Sequence, residues 1–470
     1  MYDCIIIGAG ISGLSVAARL AMQEKDVLVL ERAQHVGGTM LCQQVQGYLV
    51  EFGPSTILHP TSLIDDLVQY AGLEPELCFA SAHNQKRYIV RDSTMYALPL
   101  GPGAFLTSRL FSPRAKLRLF QEPFIPRGVA EESIGAFTQR RLGEELLDYA
   151  ISPYVAGVYA GDPARLSVPW AFPKLHALEQ QYGSLLTGAL LGGRARRRRQ
   201  ESTGERRRDT ARMCSFRRGI AALPAAIAAR LGQRVVLGCD IGALSRAPHG
   251  YTVTYQGPRS PVRAGGRCLV LAVPAYALDG YMHMCNPRYP GGVAAITYAP
   301  VVQIFLGFRR EQIGHPLDGF GVLLPHRERH KLLGVLWNSA LFPARAPAGC
   351  VALTAFLGGM LRRDMIALDE AELVALCLQD LDALLAVRGA PELVMVKKWP
   401  RAIPQYHLGY GTYVSLMAAF EAQTPGVFLS SNCRGGIAVG DCVRQAADTA
   451  AKVVAFLEAR HDPCAPPSCC

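Results

Sequence analysis

The chain has 470 residues, 50% of them apolar and 19% charged, with 46 Gly and 31 Pro. That composition excludes disorder, collagen and coiled coil for the chain as a whole and leaves room for roughly two to four domains around a large core. The formal net charge is +11, but most of it sits in one segment from Arg194 to Arg218, so a basic surface spread over the whole protein is excluded as well.

The first predicted element is a doubly buried strand, Tyr2–Ile7, followed at once by Gly8-Ala9-Gly10-Ile11-Ser12-Gly13. Its start lacks a basic stretch and a small-residue cleavage site, which predicts no secretory leader. Leu14–Met22 has helical composition, Val27–Leu30 reads as a second strand, and Glu31 stands at its end. This is the strand–turn–helix–strand setting of a dinucleotide site. Gly8 allows the tight turn, Gly10 admits a pyrophosphate against the backbone, and Gly13 lets the helix approach the strand. The helix start offers free N–H groups to phosphate, and a carboxylate at Glu31 accepts ribose hydroxyls and disfavours a 2′-phosphate. NAD and FAD share this pattern. Val36-Gly37-Gly38-Thr39 and Gly47–Ser55 follow closely.

Further on, Leu106, Leu110, Phe111, Leu117, Leu119 and Phe120 interleave with Arg109, Arg114, Lys116 and Arg118, the composition of an interfacial amphipathic segment or of an ordinary surface helix. The basic segment 194–212 predicts a solvated loop, with anionic lipid as its alternative partner; no basic–aromatic interleaving points to nucleic acid. No apolar run reaches the ~18 residues of a spanning helix, and Ile220–Leu231 is short and holds Pro224. Val301–Phe308 and Val351–Leu357 are apolar β-type runs suited to a sheet beside a cleft. Pro425–Ser430 reads as a strand, Asn432-Cys433-Arg434-Gly435-Gly436-Ile437-Ala438-Val439 as a second glycine turn, and Val443–Glu458 as a helix. The 14 cysteines, including Cys464, Cys469 and Cys470 in a Pro-rich tail, show no zinc spacing and predict reduced thiols and no metal site.

The Gly-Gly pair after Glu31 and the second turn near the end resemble the flavin amine-oxidase superfamily, with a departure at His35, where that superfamily often carries Arg. Additional segments narrow the resemblance: 84–91 with Leu98-Pro99, Pro153–Pro163 with Leu166-Ser167, Leu317–Pro325, Phe342–Pro347, Trp399 and Pro404-Gln405-Tyr406. Together they resemble the oxygen-dependent protoporphyrinogen oxidase family, nearest its plant-mitochondrial-like type. The resemblance implies an α/β fold: a Rossmann-like FAD-binding domain (1–80, 214–285 and 395–470), a mixed-sheet substrate domain (81–91 and 286–394) and a helical membrane-associating domain (92–213). It implies FAD held by residues 8–13, Glu31, Arg32, Gly37, Gly38, Thr39, Gly53, Pro54, Ser55, Thr56, Ile241, Trp399, Asn432, Gly436, Ile437, Ala438 and Val439. It implies substrate contacts at Arg87, Gly157, Leu323, Leu336 and Phe356, and oxidation of protoporphyrinogen IX to protoporphyrin IX by dioxygen. Flavin N5 then carries the chemistry and no side chain is assigned as acid or base; His59, His83 and His407 read as packing or surface residues. The alternatives are coproporphyrinogen III oxidation, an amine oxidase or a desaturase, and, in another class, a non-catalytic binding protein. The resemblance further implies a peripheral position on the inner face of the cell membrane or an equivalent organelle membrane, and allows a homodimer and product hand-over to ferrochelatase.

Overall fold

The computed structural model describes residues 1–59, 62–81, 86–192, 212–257 and 260–459. His83, the basic segment 194–211 and the cysteine-rich tail lie outside the described residues.

Two seven-stranded sheets organise the chain. In the first, Tyr2–Ile7 lies parallel to Val27–Leu30 on one side and to the second half of Pro261–Leu271 on the other. Val235–Val236 extends one edge and Val427–Leu429 pairs parallel with Leu269–Leu271. The first half of Pro261–Leu271 instead pairs antiparallel with Gly250–Gln256, which pairs with Ile241–Ala247. The parallel part is apolar on both faces because helices cover it. Ile11–Ala21, Ser62–Ala71, Ala222–Leu231 and Val439–Ala459 share one core with Cys4, Ile6, Val27, Val29, Cys268 and Val270. Pro224 sits in the first turn of its helix, where its missing N–H has no intrahelical partner to lose.

The second sheet is mixed, and its strands run in the spatial order Leu393–Pro404, Tyr298–Arg309, Cys350–Gly358, Leu332–Leu336, Gly319–Leu323, Lys86–Arg91, Thr94–Ala97. Tyr298–Arg309 is buried up to its last residue, as a central strand with both faces covered must be. One face packs on Glu370–Leu385. That helix starts at a sequence-encoded capping box: the Asp369 carboxylate accepts the Glu372 N–H at 2.8 Å, and the Glu372 carboxylate accepts the Asp369 N–H at 3.0 Å.

Residues 102–192 form short helices between the two sheets: Leu110, Phe111, Leu146 and Tyr149 pack with Ile89 and Leu323 of the second sheet, and Ile134, Phe137, Val155, Leu166 and Leu185 share a core with Ile5, Ile7 and Leu28 of the first. Their interior is polar in part: wholly buried Arg141 meets Glu122 at 2.9 Å and Glu179 at 2.6 Å, while both Glu122 oxygens also accept bonds from 184–186. A buried guanidinium is tolerated because its charge and N–H groups are met.

Four differences from the sequence reading concern where elements break. Thr94–Ala97, expected with the helical part, is the second arm of a hairpin with Lys86–Arg91. Residues 395–404, expected with the nucleotide-binding part, pair along Tyr298–Gly307. The amphipathic run is two helices, Pro102–Thr107 and Pro113–Leu119, separated where Ser112 caps the second by accepting the Ala115 N–H at 3.2 Å. Leu110 and Phe111 therefore enter a small core with Ile89, while Leu106, Leu117 and Phe120 stay exposed. The last helix begins at Val439, four residues earlier than expected, directly from the glycine turn.

Candidate functional site

The first turn is shaped by its glycines. Gly8 has φ +105°, and a Cβ on Gly13 would lie 2.0 Å from the Gly8 carbonyl oxygen. Only glycine permits that approach. Gly10 differs: a Cβ there would meet nothing within 4 Å. It precedes Ile11–Ala21 without any side-chain cap, so the first amides of that helix have no partner supplied by the cap. Gly37 donates its N–H to Ala9 O at 2.8 Å and bridges Gly10, and a Cβ on Gly38 would sit 3.6 Å from the Gly10 Cα. Three glycines thus border one open space beside a helix start, a cradle that fits a dinucleotide pyrophosphate.

Glu31 is fixed by backbone. Its two oxygens accept the Ala9 N–H at 2.7 Å and the Ala33 N–H at 2.8 Å. Each oxygen keeps a lone pair for a ribose hydroxyl. Cys239 N–H bonds Glu31 O and Gly238 N–H bonds Ala33 O, which brings the chain leading into half-buried Ile241 alongside. Arg32 and Thr39 are exposed.

Gly53 turns at φ +118°, with its Cβ position 2.2 Å from Thr39 O. It brings Pro54, buried Ser55 and Thr56 next to the Gly38–Thr39 turn. The sequence reading missed what holds it. Gln303, on the second sheet, accepts the Gly53 N–H at 2.8 Å and donates to Glu51 O at 2.7 Å. The buried Glu51 carboxylate pairs with buried Arg345 at 3.1 Å and accepts the Ile220 N–H at 2.8 Å, and Arg345 also donates to Ser215 Oγ at 2.7 Å. Burial raises the Glu51 carboxyl, while Arg345 and the Ile220 N–H pull it back down. The second turn is braced by phenols. Tyr406 OH donates to Asn432 O at 2.6 Å and accepts the Gly436 N–H at 3.1 Å; Tyr410 OH donates to Cys433 O at 2.5 Å. Gly436 has φ +126° and feeds Ile437, Ala438 and Val439 into the last helix.

The predicted substrate residues share one sheet face. Arg87 pairs with Gly321, Gly321 with Leu336, and Leu336 with Thr354; in the next row Ile89, Leu323, Gly334, Phe356, Gln303 and Lys397 follow across the strands. Cross-strand partners point to the same side, so Arg87, Leu323, Leu336 and Phe356 line one wall with Gln303. Trp399 extends it through Val301, and its buried Nε1 has no partner among the described residues. Gly157 of the helix Ser152–Tyr159 faces this wall: a Cβ there would come within 2.6 Å of Leu323 Cδ2. Arg87 is exposed, lies 5.4 Å from the Phe320 ring centre and meets no carboxylate among the described residues, whereas neighbouring Lys86 is paired with Asp318 at 2.5 Å.

Nothing here is poised as a strong base. Burial lowers His407 to about 4, leaving it neutral, and burial raises the Tyr159 and Tyr406 phenols. Among the described residues no three His, Cys, Asp or Glu side chains converge as metal ligands.

Comparison with known proteins supplies the family. Residues 11–454 match the family described as flavin containing amine oxidoreductase. The chain is 30% identical to the mitochondrial protoporphyrinogen oxidase of Nicotiana tabacum, over 96% of this chain and 95% of that protein. It is 24% identical to the coproporphyrinogen III oxidase of Bacillus subtilis, over 96% and 98%. A crystal structure from Exiguobacterium sp. 255-15 superposes with TM-score 0.79 at 21% identity, covering 97% of this chain and 98% of that one.

Proposed function

The chain belongs to the protoporphyrinogen oxidase branch of the flavin-containing amine oxidoreductases, and from that premise we propose that it oxidises protoporphyrinogen IX to protoporphyrin IX with dioxygen as acceptor. Bound FAD supplies hydride acceptance and onward electron transfer to dioxygen. The chain's own residues bind and orient. The glycine cradle at Gly10 and Gly38 and the carboxylate of Glu31 take the pyrophosphate and ribose, the Gly53 and Gly436 turns take the flavin end, and the second sheet takes the porphyrinogen. Pyrrole protons leave by tautomerisation, so a protein base is not required.

The observation that carries this reading is the exposed, carboxylate-free Arg87 at the edge of an apolar wall formed by Leu323, Leu336 and Phe356. A propionate supplies the missing anion through a bidentate guanidinium pair, the wall takes the greasy ring, and Gly157 leaves room for it. Anaerobic addition of protoporphyrinogen IX is expected to bleach the flavin, and air to restore its colour with porphyrin fluorescence. Bleaching by an amine instead would defeat the assignment. Arg87→Ala is expected to raise KM about tenfold with FAD retained, since a charge-assisted bond to substrate is lost; unchanged steady-state kinetics would remove Arg87 from the site.

We also propose a peripheral membrane position, on the inner face of the cell membrane or an equivalent organelle membrane. Supporting it, Leu100, Leu106, Leu117, Phe120, Phe124 and Val129 are exposed, Phe124 to 87%, within a segment that also carries exposed Arg109, Arg114 and Arg127. No described helix is long and apolar enough to cross a membrane. Phe124→Asp is expected to weaken cosedimentation with phosphatidylglycerol vesicles about tenfold, the scale of one buried aromatic side chain. Equal sedimentation of variant and parent would place the membrane contact elsewhere.

A further inference from the structure

The sheet face that carries Arg87 has a second unpaired cation at its other end. The row Ile89, Leu323, Gly334, Phe356 and Gln303 finishes on Lys397, in the strand Leu393–Pro404 at the edge of the second sheet. Cross-strand partners share a face, so Lys397 stands beside Gln303, with Trp399 two residues further along on the same side. Lys397 is half-buried, and its ammonium lies 4.9 Å from the centre of the Trp399 ring. It makes no hydrogen bond or ion pair among the described residues.

The charged groups around it are engaged elsewhere. Lys398 points to the opposite face and donates to Leu368 O. Glu392, just before the same strand, meets Arg309 at 2.7 Å, and Glu51 meets Arg345. Arg401 lies over the Tyr276 ring at 4.9 Å. A lysine ammonium is strongly hydrated and ordinarily carries its charge out to water on a long stem. Here it is folded back on an indole, whose cation–π attraction offsets part of the lost hydration. The Trp399 Nε1 is itself buried without a partner among the described residues. Two donors, one of them charged, thus lack an acceptor. They stand beside Gln303, which fixes the Gly53 turn by accepting its N–H at 2.8 Å, and that turn is the one assigned to the flavin.

Flavin chemistry supplies the acceptor. The pyrimidine half of the ring system carries electronegative nitrogen and oxygen atoms and gains negative charge on hydride uptake. We propose that Lys397 is a positioning residue for bound FAD, with its ammonium turned toward that half so that hydride uptake becomes more favourable. The inference rests on the flavin-oxidase reading given above. Hydride brings two electrons and one proton, which leaves the cofactor one unit more negative; the macrocycle, one unit more positive, releases a pyrrole proton. No bond to Lys397 forms or breaks. Its charge acts through space, and more strongly in a half-buried position than in water.

The test measures the two-electron midpoint potential of bound FAD in the parent, Lys397→Met and Lys397→Arg, by equilibration with reference dyes and without any porphyrinogen. Lys397→Met keeps an unbranched chain against Trp399 and removes the charge; Lys397→Gln repeats the comparison with a second uncharged side chain. In both uncharged variants the equilibrium constant for reduction is expected to fall about tenfold, about 30 mV for a two-electron couple. Lys397→Arg is expected to stay close to the parent, and the affinity for oxidised FAD to change little. Equal potentials in the parent and the uncharged variants overturn the proposal. An equal fall in Lys397→Arg also overturns it, by tracing the effect to packing on Trp399. So does a loss of FAD affinity at unchanged potential, which places the ammonium on the pyrophosphate. Failure of protoporphyrinogen IX to bleach the parent's flavin sinks the primary function alone, because the potentials are read without it.

Discussion

Gly10→Val is expected to give a folded, colourless protein. Its backbone, at φ −70° and ψ 175°, is extended and suits a β-branched residue, and its Cβ direction is open. No atom of the described residues lies within 4 Å of that Cβ, so the fold is expected to hold. The isopropyl group instead occupies the space that a pyrophosphate needs against the backbone, where no rearrangement restores the approach. FAD affinity is expected to fall on the order of a hundredfold, about 2.7 kcal/mol. Visible absorbance of the purified variant, with circular dichroism and a melting curve matching the parent, checks it; a yellow variant would place the nucleotide elsewhere. Gly13→Val is the contrasting case. Its side chain drives into the Gly8 carbonyl at 2.0 Å, so strand and helix must part, and insoluble protein is the expected outcome. The pair of variants separates a glycine kept for the ligand from one kept for the fold.

Arg345→Met is expected to destabilise the protein by about 3–5 kcal/mol near neutral pH, because it strands the buried Glu51 carboxylate. The pH dependence has a defined sign. Without the guanidinium the folded-state pKa of Glu51, already raised by burial, rises further above its unfolded value. The folded state then binds more protons than the unfolded one between those two values, so stability falls as pH rises through that window. The deficit relative to the parent is therefore expected to be smaller at about pH 5 than at about pH 8. Urea unfolding of both proteins at the two pH values tests this, and a deficit independent of pH would show that lost packing rather than the carboxylate is responsible. Glu51→Gln with Arg345→Met should recover part of the loss, since the remaining amide is neutral. The same pair sits behind the Gly53 turn, so a shifted flavin spectrum in any holoprotein recovered from Arg345→Met is a second readout.

Much of the first sheet was legible because its signals are local. A turn that needs positive φ selects glycine, a doubly buried strand is apolar throughout, and Glu31 follows at a fixed distance; Tyr2–Ile7 and Val27–Leu30 match the reading residue for residue. The shared face of Arg87, Leu323, Leu336 and Phe356 was reachable only through family resemblance, since an alternating strand does not say which of its faces is the core. The Glu51–Arg345 pair and the Gln303 link to Gly53 left no usable signal: their partners are 294 and 250 residues apart, and a charged residue in a sequence reads as surface unless its partner is known. The run Leu106–Phe120 misled for a related reason. Leu110 and Leu117 are chemically alike, and the cap at Ser112, not composition, decides that one is inside and the other outside.

The first helix, Ile11–Ala21, and the last, Val439–Ala459, pack together in one core, with a strand from residues 427–429 completing the sheet beneath them. Nearly the whole polypeptide must therefore be made before Val439–Ala459 can pack on the helix that follows Gly10. On the FAD assignment proposed above, cofactor capture is expected to be complete only after synthesis, with the cleft unfilled until then. A cell short of riboflavin would accumulate full-length but pale apoprotein rather than arrested fragments.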